Sequence, residues 1–228
     1  MTLQATVEAR NGQHAVILCH PDPGSFDHAI ANTYRDAVLA AGQTVVFRDL
    51  YALGFDPVLR KTERAALGNW ALSRDVAVEL GALAGSDVFV LIYPIWFGSA
   101  PAMMKGYVER VLGAGMVPEG VLHPEFGVLL ANRRLLSFTT SAMTNVWLAR
   151  EGQERGLDSV FDNYIVRAFG MLSNEHKRFG QIAADLDKRS ADVHLREVSR
   201  QAQRTCAQIA FGEAAMMRDP TLARQFSR

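Results

Sequence analysis

Asp87-Val-Phe-Val-Leu-Ile-Tyr93, Pro94-Ile-Trp-Phe-Gly-Ser-Ala100 and Pro101-Ala-Met-Met-Lys-Gly-Tyr-Val-Glu-Arg-Val-Leu112 follow one another without a break, and their reading decides the fold. The first segment is an uninterrupted apolar run rich in β-branched and aromatic residues. That pattern predicts a strand buried on both faces, as in a parallel sheet. Pro94 ends it, having no N–H for the ladder. Pro101 suits the first turn of a helix. Beyond it Met104, Tyr107, Val108, Val111 and Leu112 recur at helical spacing and make one apolar face. Strand, tight loop and helix follow in order. Trp96, Phe97 and Gly98 therefore sit at the carboxyl end of a central strand, the edge where open α/β sheets bind ligands. Two large aromatics there can wall in a flat ring, and Gly98 lets backbone amides approach it.

Outward from this unit the same alternation continues. Ala15–Cys19 and Thr44–Phe47 read as strands before it, Leu135–Thr139 as a strand after it, and His176–Ile182 as a weak one. A helix carrying Ile30, Tyr34, Ala37, Val38 and Ala41 stops at Gly42. Helical patterns also run through part of 62–84, through 158–169 with Val160, Tyr164 and Ala168 on one face, and through 190–213. Gly113–Arg133 and Thr140–Gly156 read as irregular excursions, the second holding Trp147. The result is an α/β fold: a doubly wound parallel sheet with helices on both faces. A polar lead (1–13), a single domain (14–213) and a tail (214–228) divide the chain.

Composition narrows the function. The 228 residues are 49% hydrophobic, enough for one core, and Lys+Arg and Asp+Glu both total 24. A neutral chain carries no nucleic-acid or membrane-surface footprint. No apolar stretch spans a bilayer, and the first residues lack a signal-peptide core. Cys19 and Cys206 fall on a strand and a helix pattern, which suits a reducing cytoplasm. The histidines lack zinc-site spacing, so no metal is expected. Gly113-Ala-Gly115 imitates half a dinucleotide fingerprint but follows a helix. Ser25 and Ser99 lie in no Gly-x-Ser-x-Gly elbow.

Three loops should open on one sheet edge: His20–Phe26, Pro94–Gly98 and Thr139–Ala142. The first leads into a helix N-terminus, where unpaired N–H groups and the dipole favour an anion such as phosphate. Ser25 adds a hydroxyl and His20 a partial positive charge. Alone, Ser25 is an ordinary N-cap. The second loop offers aromatic walls. The third, Thr139-Thr140-Ser141, offers hydroxyls for a polar ring edge. A phosphate-bearing planar cofactor satisfies all three.

At these residues the chain resembles the flavodoxin-like NAD(P)H:quinone oxidoreductase family. The matching residues are His20-Pro21 with Ser25-Phe26, Asp49-Leu50-Tyr51 with Phe55-Asp56-Pro57, Pro94–Gly98 with Pro101 and Lys105-Gly106, Glu109-Arg110-Val111, and Thr139-Thr140. The resemblance implies a noncovalent flavin, FAD or alternatively FMN, with NADH or NADPH as co-substrate, in a cytoplasmic homodimer. By position, His20, Ser25 and Phe26 lie at the flavin phosphate. Pro94, Ile95, Trp96, Phe97 and Gly98 lie along the ring, and Thr139, Thr140, Ser141 and Ala142 at its pyrimidine side. Asn145 and Trp147 are the expected substrate-binding residues. A hydride would pass from the nicotinamide through the flavin to a quinone or similar two-electron acceptor. Two departures stand out. Ser141-Ala142 replaces a glycine pair, and Trp147 stands where family members carry a tyrosine, with no histidine before His176. Trp147 has no phenolic proton to relay, so no catalytic residue is assigned. The alternative is a regulatory flavoprotein, an ancillary subunit of a potassium efflux system. A one-electron carrier ranks lowest, because such carriers are usually strongly acidic.

Overall fold

The computed structural model describes residues 11–64, 71–116, 129–183 and 185–218. Most of the expected N-terminal lead and C-terminal tail, the helix stretch around Gly68, and the middle of the 113–133 excursion lie outside these residues.

Five strands form one all-parallel sheet in the order β2-β1-β3-β4-β5. They are β1 (Gln13–Leu18), β2 (Thr44–Asp49), β3 (Val88–Pro94), β4 (Arg134–Thr140) and β5 (Ser173–Phe179). Every residue of β3 is buried, as its unbroken apolar run requires. Pro94 is the last rung, pairing with Thr140. The chain leaves β1 outward to β2 and returns to β3, so the order reverses between β1 and β3. That reversal is where such sheets open a crevice.

Helices cover both faces. On one, α1 (Phe26–Ala40) and α7 (Lys188–Arg218) pack Ile30, Tyr34, Val198 and Ala202 against Val16, Val90, Leu136 and Phe138. On the other, α2 (Arg74–Leu83), α3 (Ala102–Tyr107) and α6 (Asn163–Phe169) bring Leu80, Met104 and Ile165 onto Ile17, Phe89, Leu91 and Leu135. Ser25 caps α1 by accepting from His28 N. Pro101 caps α3, one residue before its first turn, and a wider π-type turn carries α3 on through Leu112.

Four expectations change. The polar excursion at 140–156 contains two short helices, α4 (Asn145–Arg150) and α5 (Gln153–Leu157). Thr144 starts the first by accepting from Trp147 N, and Gly152, at φ 73°, turns the chain into the second. In the helix that follows, Val160 and Tyr164 are exposed while Leu157, Phe161 and Ile165 are buried. A π-type turn at Asp158–Asp162 adds a residue there, and the bulkier i, i+4, i+8 set takes the sheet face. Strand β5 begins three residues before the expected His176 and pairs with β4 along its whole length. The last helix runs past Glu213 to Arg218. Among the described residues no helix is long and apolar enough to cross a membrane.

Candidate functional site

Beyond β3 the chain makes a two-residue hairpin. Trp96 N donates to Ser99 O at 3.0 Å and Ser99 N to Trp96 O at 3.1 Å. Both central residues have positive φ, 50° at Phe97 and 76° at Gly98. Gly98 adopts this freely, but a bulky residue there is strained. The Phe97 side chain stands wholly in solvent, with Trp96 39% exposed beside it. The amides of Ile95, Trp96 and Ser99 are taken, whereas those of Phe97 and Gly98 have no partner among the described residues. The turn presents aromatic surface and free N–H groups together.

Across the crevice stands the N-terminus of α1, where the His28 amide is taken by Ser25 and the helix dipole still favours an anion. The His20 ring lies 5.7 Å from that of Trp96 and accepts from Asp22 N at 3.0 Å. Burial lowers its pKa, the hydrogen bond with the Asp22 backbone opposes this, and the neighbouring His28 adds to the lowering, so the positive form expected of His20 is disfavoured. Ser25 Oγ lies 2.9 Å from His28 Nδ1, and His28 Nε2 lies 3.0 Å from Asp49 Oδ2. Asp27, 2% exposed, accepts from Thr140 Oγ1 at 2.8 Å; its Oδ1 is buried without a partner. Burial pushes this carboxyl up to about 6 despite the Thr140 bond. Phe26 packs edge-on against Phe179 and His194.

The two threonine hydroxyls at the end of β4 each have a side-chain partner. Successive strand residues face opposite sides, so Thr140 meets Asp27 while Thr139 meets His176 Nε2 at 2.8 Å. His176 Nδ1 continues to Asp162 Oδ2 at 2.5 Å, and Asp162 Oδ1 accepts from Ser137 at 3.0 Å. Ser141 Oγ accepts from Met143 N at 3.0 Å. Thr139 and Thr140 thus spend their hydroxyls on His176 and Asp27, while Ser141 keeps a hydroxyl proton that has no partner among the described residues. Asp158, Asp162 and His176 bring ligand atoms within 4.8 Å of one another, as a metal would need. Arg178 already bridges them, donating to Asp158 with the same nitrogen 3.0 Å from His176 Nδ1. Cys19 offers no nucleophile, since burial pushes its thiol up to about 12.

Asn145 and Trp147 sit apart from the aromatic turn. They line a cavity of about 1040 Å³ with Ala142, Met143, Asp187 and His194, and no residue of 94–98 reaches it. Asn145 Nδ2 donates to Arg178 O at 3.0 Å, latching α4 to β5. Trp147, on α4, is 38% exposed on the cavity rim.

The all-parallel sheet in the order β2-β1-β3-β4-β5, covered by helices on both faces, is a fold shared with known proteins. The flavodoxin-like fold family matches residues 13–202. The chain belongs to the flavodoxin-like fold family. It is 32% identical over 195 residues to an NAD(P)H oxidoreductase of Haemophilus influenzae, covering 84% of this chain and 96% of that protein. Among solved structures it is similar to an NAD(P)H:quinone oxidoreductase from Methanothermobacter marburgensis, with TM-score 0.70, 19% identity, and 86% and 97% of the two chains covered. An FMN-dependent NADH-azoreductase from Bacillus anthracis, solved with FMN, aligns at TM-score 0.59 and 16% identity over 86% and 99% of the chains.

In this flavodoxin-like chain not every residue of the family motifs faces the site. A Cβ on Gly106 would lie 2.3 Å from Pro57 O. Arg110, with its side chain fully buried, grips Glu63 Oε1 at 2.6 Å and Asp75 Oδ2 at 2.9 Å, donates to Asp56 O, and lies over the Phe55 ring. Burial raises the Glu63 pKa, but the Arg110 and backbone hydrogen bonds outweigh it and hold the carboxyl at about 2. Phe55, Asp56, Pro57, Gly106 and Arg110 thus form a clasp that docks the β2–α2 connection on α3. Asp27 was expected only as an alternative to Ser25 for capping α1, and His28 was not singled out. Their signal was present: both fall in the first turn of that helix.

Proposed function

We propose that this chain is a flavin-dependent NAD(P)H oxidoreductase that reduces a quinone or similar two-electron acceptor. The carrying observation is the Trp96–Ser99 hairpin, which holds two exposed aromatic side chains, and two amides with no partner among the described residues, opposite the α1 N-terminus. A soluble core has no use for that arrangement; a flat cofactor does. Bound flavin supplies the hydride-accepting ring, taking two electrons from a reduced nicotinamide and giving them to the acceptor. The protein's part is to hold and orient. Trp96 and Phe97 wall the ring, the amides of Phe97 and Gly98 meet its polar atoms, and the α1 N-terminus with Ser25 takes the phosphate.

FMN is the flavin we assign, since the azoreductase of like fold is described with FMN. One observation favours FAD: the cavity of about 1040 Å³ is lined by His194, whose ring lies 6.1 Å from that of Phe26 at the phosphate end, and its volume has room for an adenosine half. A second copy of the chain would cover Phe97, Val146, Val160 and Tyr164, all exposed and apolar. The two free cysteines fit a reducing compartment such as the cytoplasm. The ancillary-subunit reading has no support from relatives named as oxidoreductases.

The purified protein is expected to be yellow, to release FMN on denaturation as read by mass spectrometry, and to oxidise NADH or NADPH when menadione is added. A colourless protein that gains no flavin absorbance from FMN or FAD would overturn the reading. Bound flavin with negligible turnover would favour a regulatory role.

A further inference from the structure

Asp49 fixes the direction of a hydrogen-bond chain at the α1 N-terminus. Its Oδ1 accepts from Tyr51 N and Ala52 N, each at 3.1 Å, and its Oδ2 faces His28 Nε2 at 3.0 Å. A carboxylate in that position accepts, so His28 Nε2 carries the proton. When the ring carries that proton alone, Nδ1 is an acceptor, and the Ser25 hydroxyl, 2.9 Å away, donates to it. Ser25 Oγ also accepts from His28 N at 3.3 Å. In this state the only Ser25 proton points inward, and the hydroxyl has none left for an anion.

A second proton on His28 reverses the arrangement. Nδ1–H would donate to Ser25 Oγ, and the hydroxyl proton would be free to turn outward. We propose that His28 is the positioning residue of the phosphate site: when a phosphate monoester binds at the α1 N-terminus, His28 takes up one proton from solvent and Ser25 turns its hydroxyl onto the phosphate. The inference rests on the flavin reading for the identity of that monoester. The groups facing His28 are Asp49 at the end of β2, the His20 ring at 6.4 Å in the loop after β1, and Asp27 beside it on α1. Asp22 acts on His20 from the same loop. Asp27, whose Oδ1 is buried without a partner at the same helix end, also binds a proton more readily beside a dianion, so it works in the same direction.

The test is an NMR titration of the histidine rings in protein stripped of flavin, with inorganic phosphate, FMN or riboflavin added. FMN and phosphate are expected to move the His28 titration upward by about one pH unit, and riboflavin, which has no phosphate, to leave it in place. One unit corresponds to an FMN affinity that falls about tenfold between low and high pH. In His28→Asn that pH dependence should flatten while riboflavin affinity is unchanged; in Asp27→Asn the His28 shift should remain. FMN or phosphate that binds without moving the His28 titration overturns the proposal, as does an undiminished pH dependence in His28→Asn. If neither flavin binds, the cofactor reading fails while the phosphate arm still decides the role of His28.

Discussion

The clasp on α3 and the hairpin after β3 both draw on the family motif residues, yet they are built on opposite terms. In the clasp every group is closed off. Arg110 has no exposed side-chain surface, two carboxylates and a carbonyl face it, and Gly106 leaves no room for a methyl group. In the hairpin the groups stay open. Phe97 is held in solvent at a positive φ, Trp96 is half-covered, and two amides lack partners. A region complete in itself contributes to stability; one left incomplete contributes to binding. A motif match alone does not separate the two, because selection for architecture and for cofactor leaves the same kind of trace in a sequence.

Breaking the clasp should give the largest effect. Gly106→Ala puts a methyl group against the backbone of Pro57, so the β2–α2 connection has to lift and the Arg110 bonds lengthen. Overpacking of this kind costs about 1–3 kcal/mol or more, and loss of the buried ion pair adds to it. A fall of roughly 10 °C in Tm by calorimetry is expected. Flavin content per folded molecule should stay near wild type. An unchanged Tm would mean that the connection is not docked tightly and that the comparison fails on its closed side.

Trp96→Ala tests the open side. The side chain is only partly covered, by the His20 ring, so Tm of the flavin-free protein should move by no more than about 2 °C. The flavin, by contrast, loses a stacking partner worth about 1–2 kcal/mol, so its dissociation constant should rise on the order of tenfold. Fluorescence titration with FMN reads this directly. A collapse of Tm with unchanged flavin affinity would move Trp96 into the clasp's category.

The fold was legible because its signals are local. The apolar run of β3 is buried at every position, and Ser25 caps the helix it was expected to cap. The aromatic hairpin was legible too, since a glycine beside two aromatics at a strand end is a local pattern. The polar half of the site was not. Thr139 and Thr140 look alike in sequence, but strand alternation sends them to opposite faces, and their partners, His176 and Asp27, are 37 and 113 residues away along the chain. Asp27 and His28 depend on the phase of one helical turn. The face of α6 was misread because a π-type turn shifts the register by a residue that no periodicity reveals. Helices α4 and α5 have six and five residues, too few for an apolar period to stand out.

The smallest effect belongs to Trp147, which lies between the two categories. It sits on α4 at the rim of the cavity beside His194, partly exposed and with its amide held by Thr144. The cap runs from the Trp147 backbone N–H to the Thr144 side chain, so it survives removal of the indole, and Tm should change by no more than about 2 °C in Trp147→Ala. The cavity shares no residue with the 94–98 hairpin, so FMN affinity should be unchanged as well. What the indole offers is a wall for whatever enters from solvent. Its loss should raise KM for the nicotinamide and for the acceptor by a few-fold, about 1 kcal/mol, with kcat little altered. Trp147→Tyr keeps a flat wall and should restore KM. The informative contrary result is a variant that holds FMN at wild-type strength but has lost FAD. The cavity would then be the seat of an adenosine half, and Trp147 would join Trp96 on the cofactor side of the comparison. A large drop in Tm with both KM values unchanged would place it instead with Gly106 and Arg110.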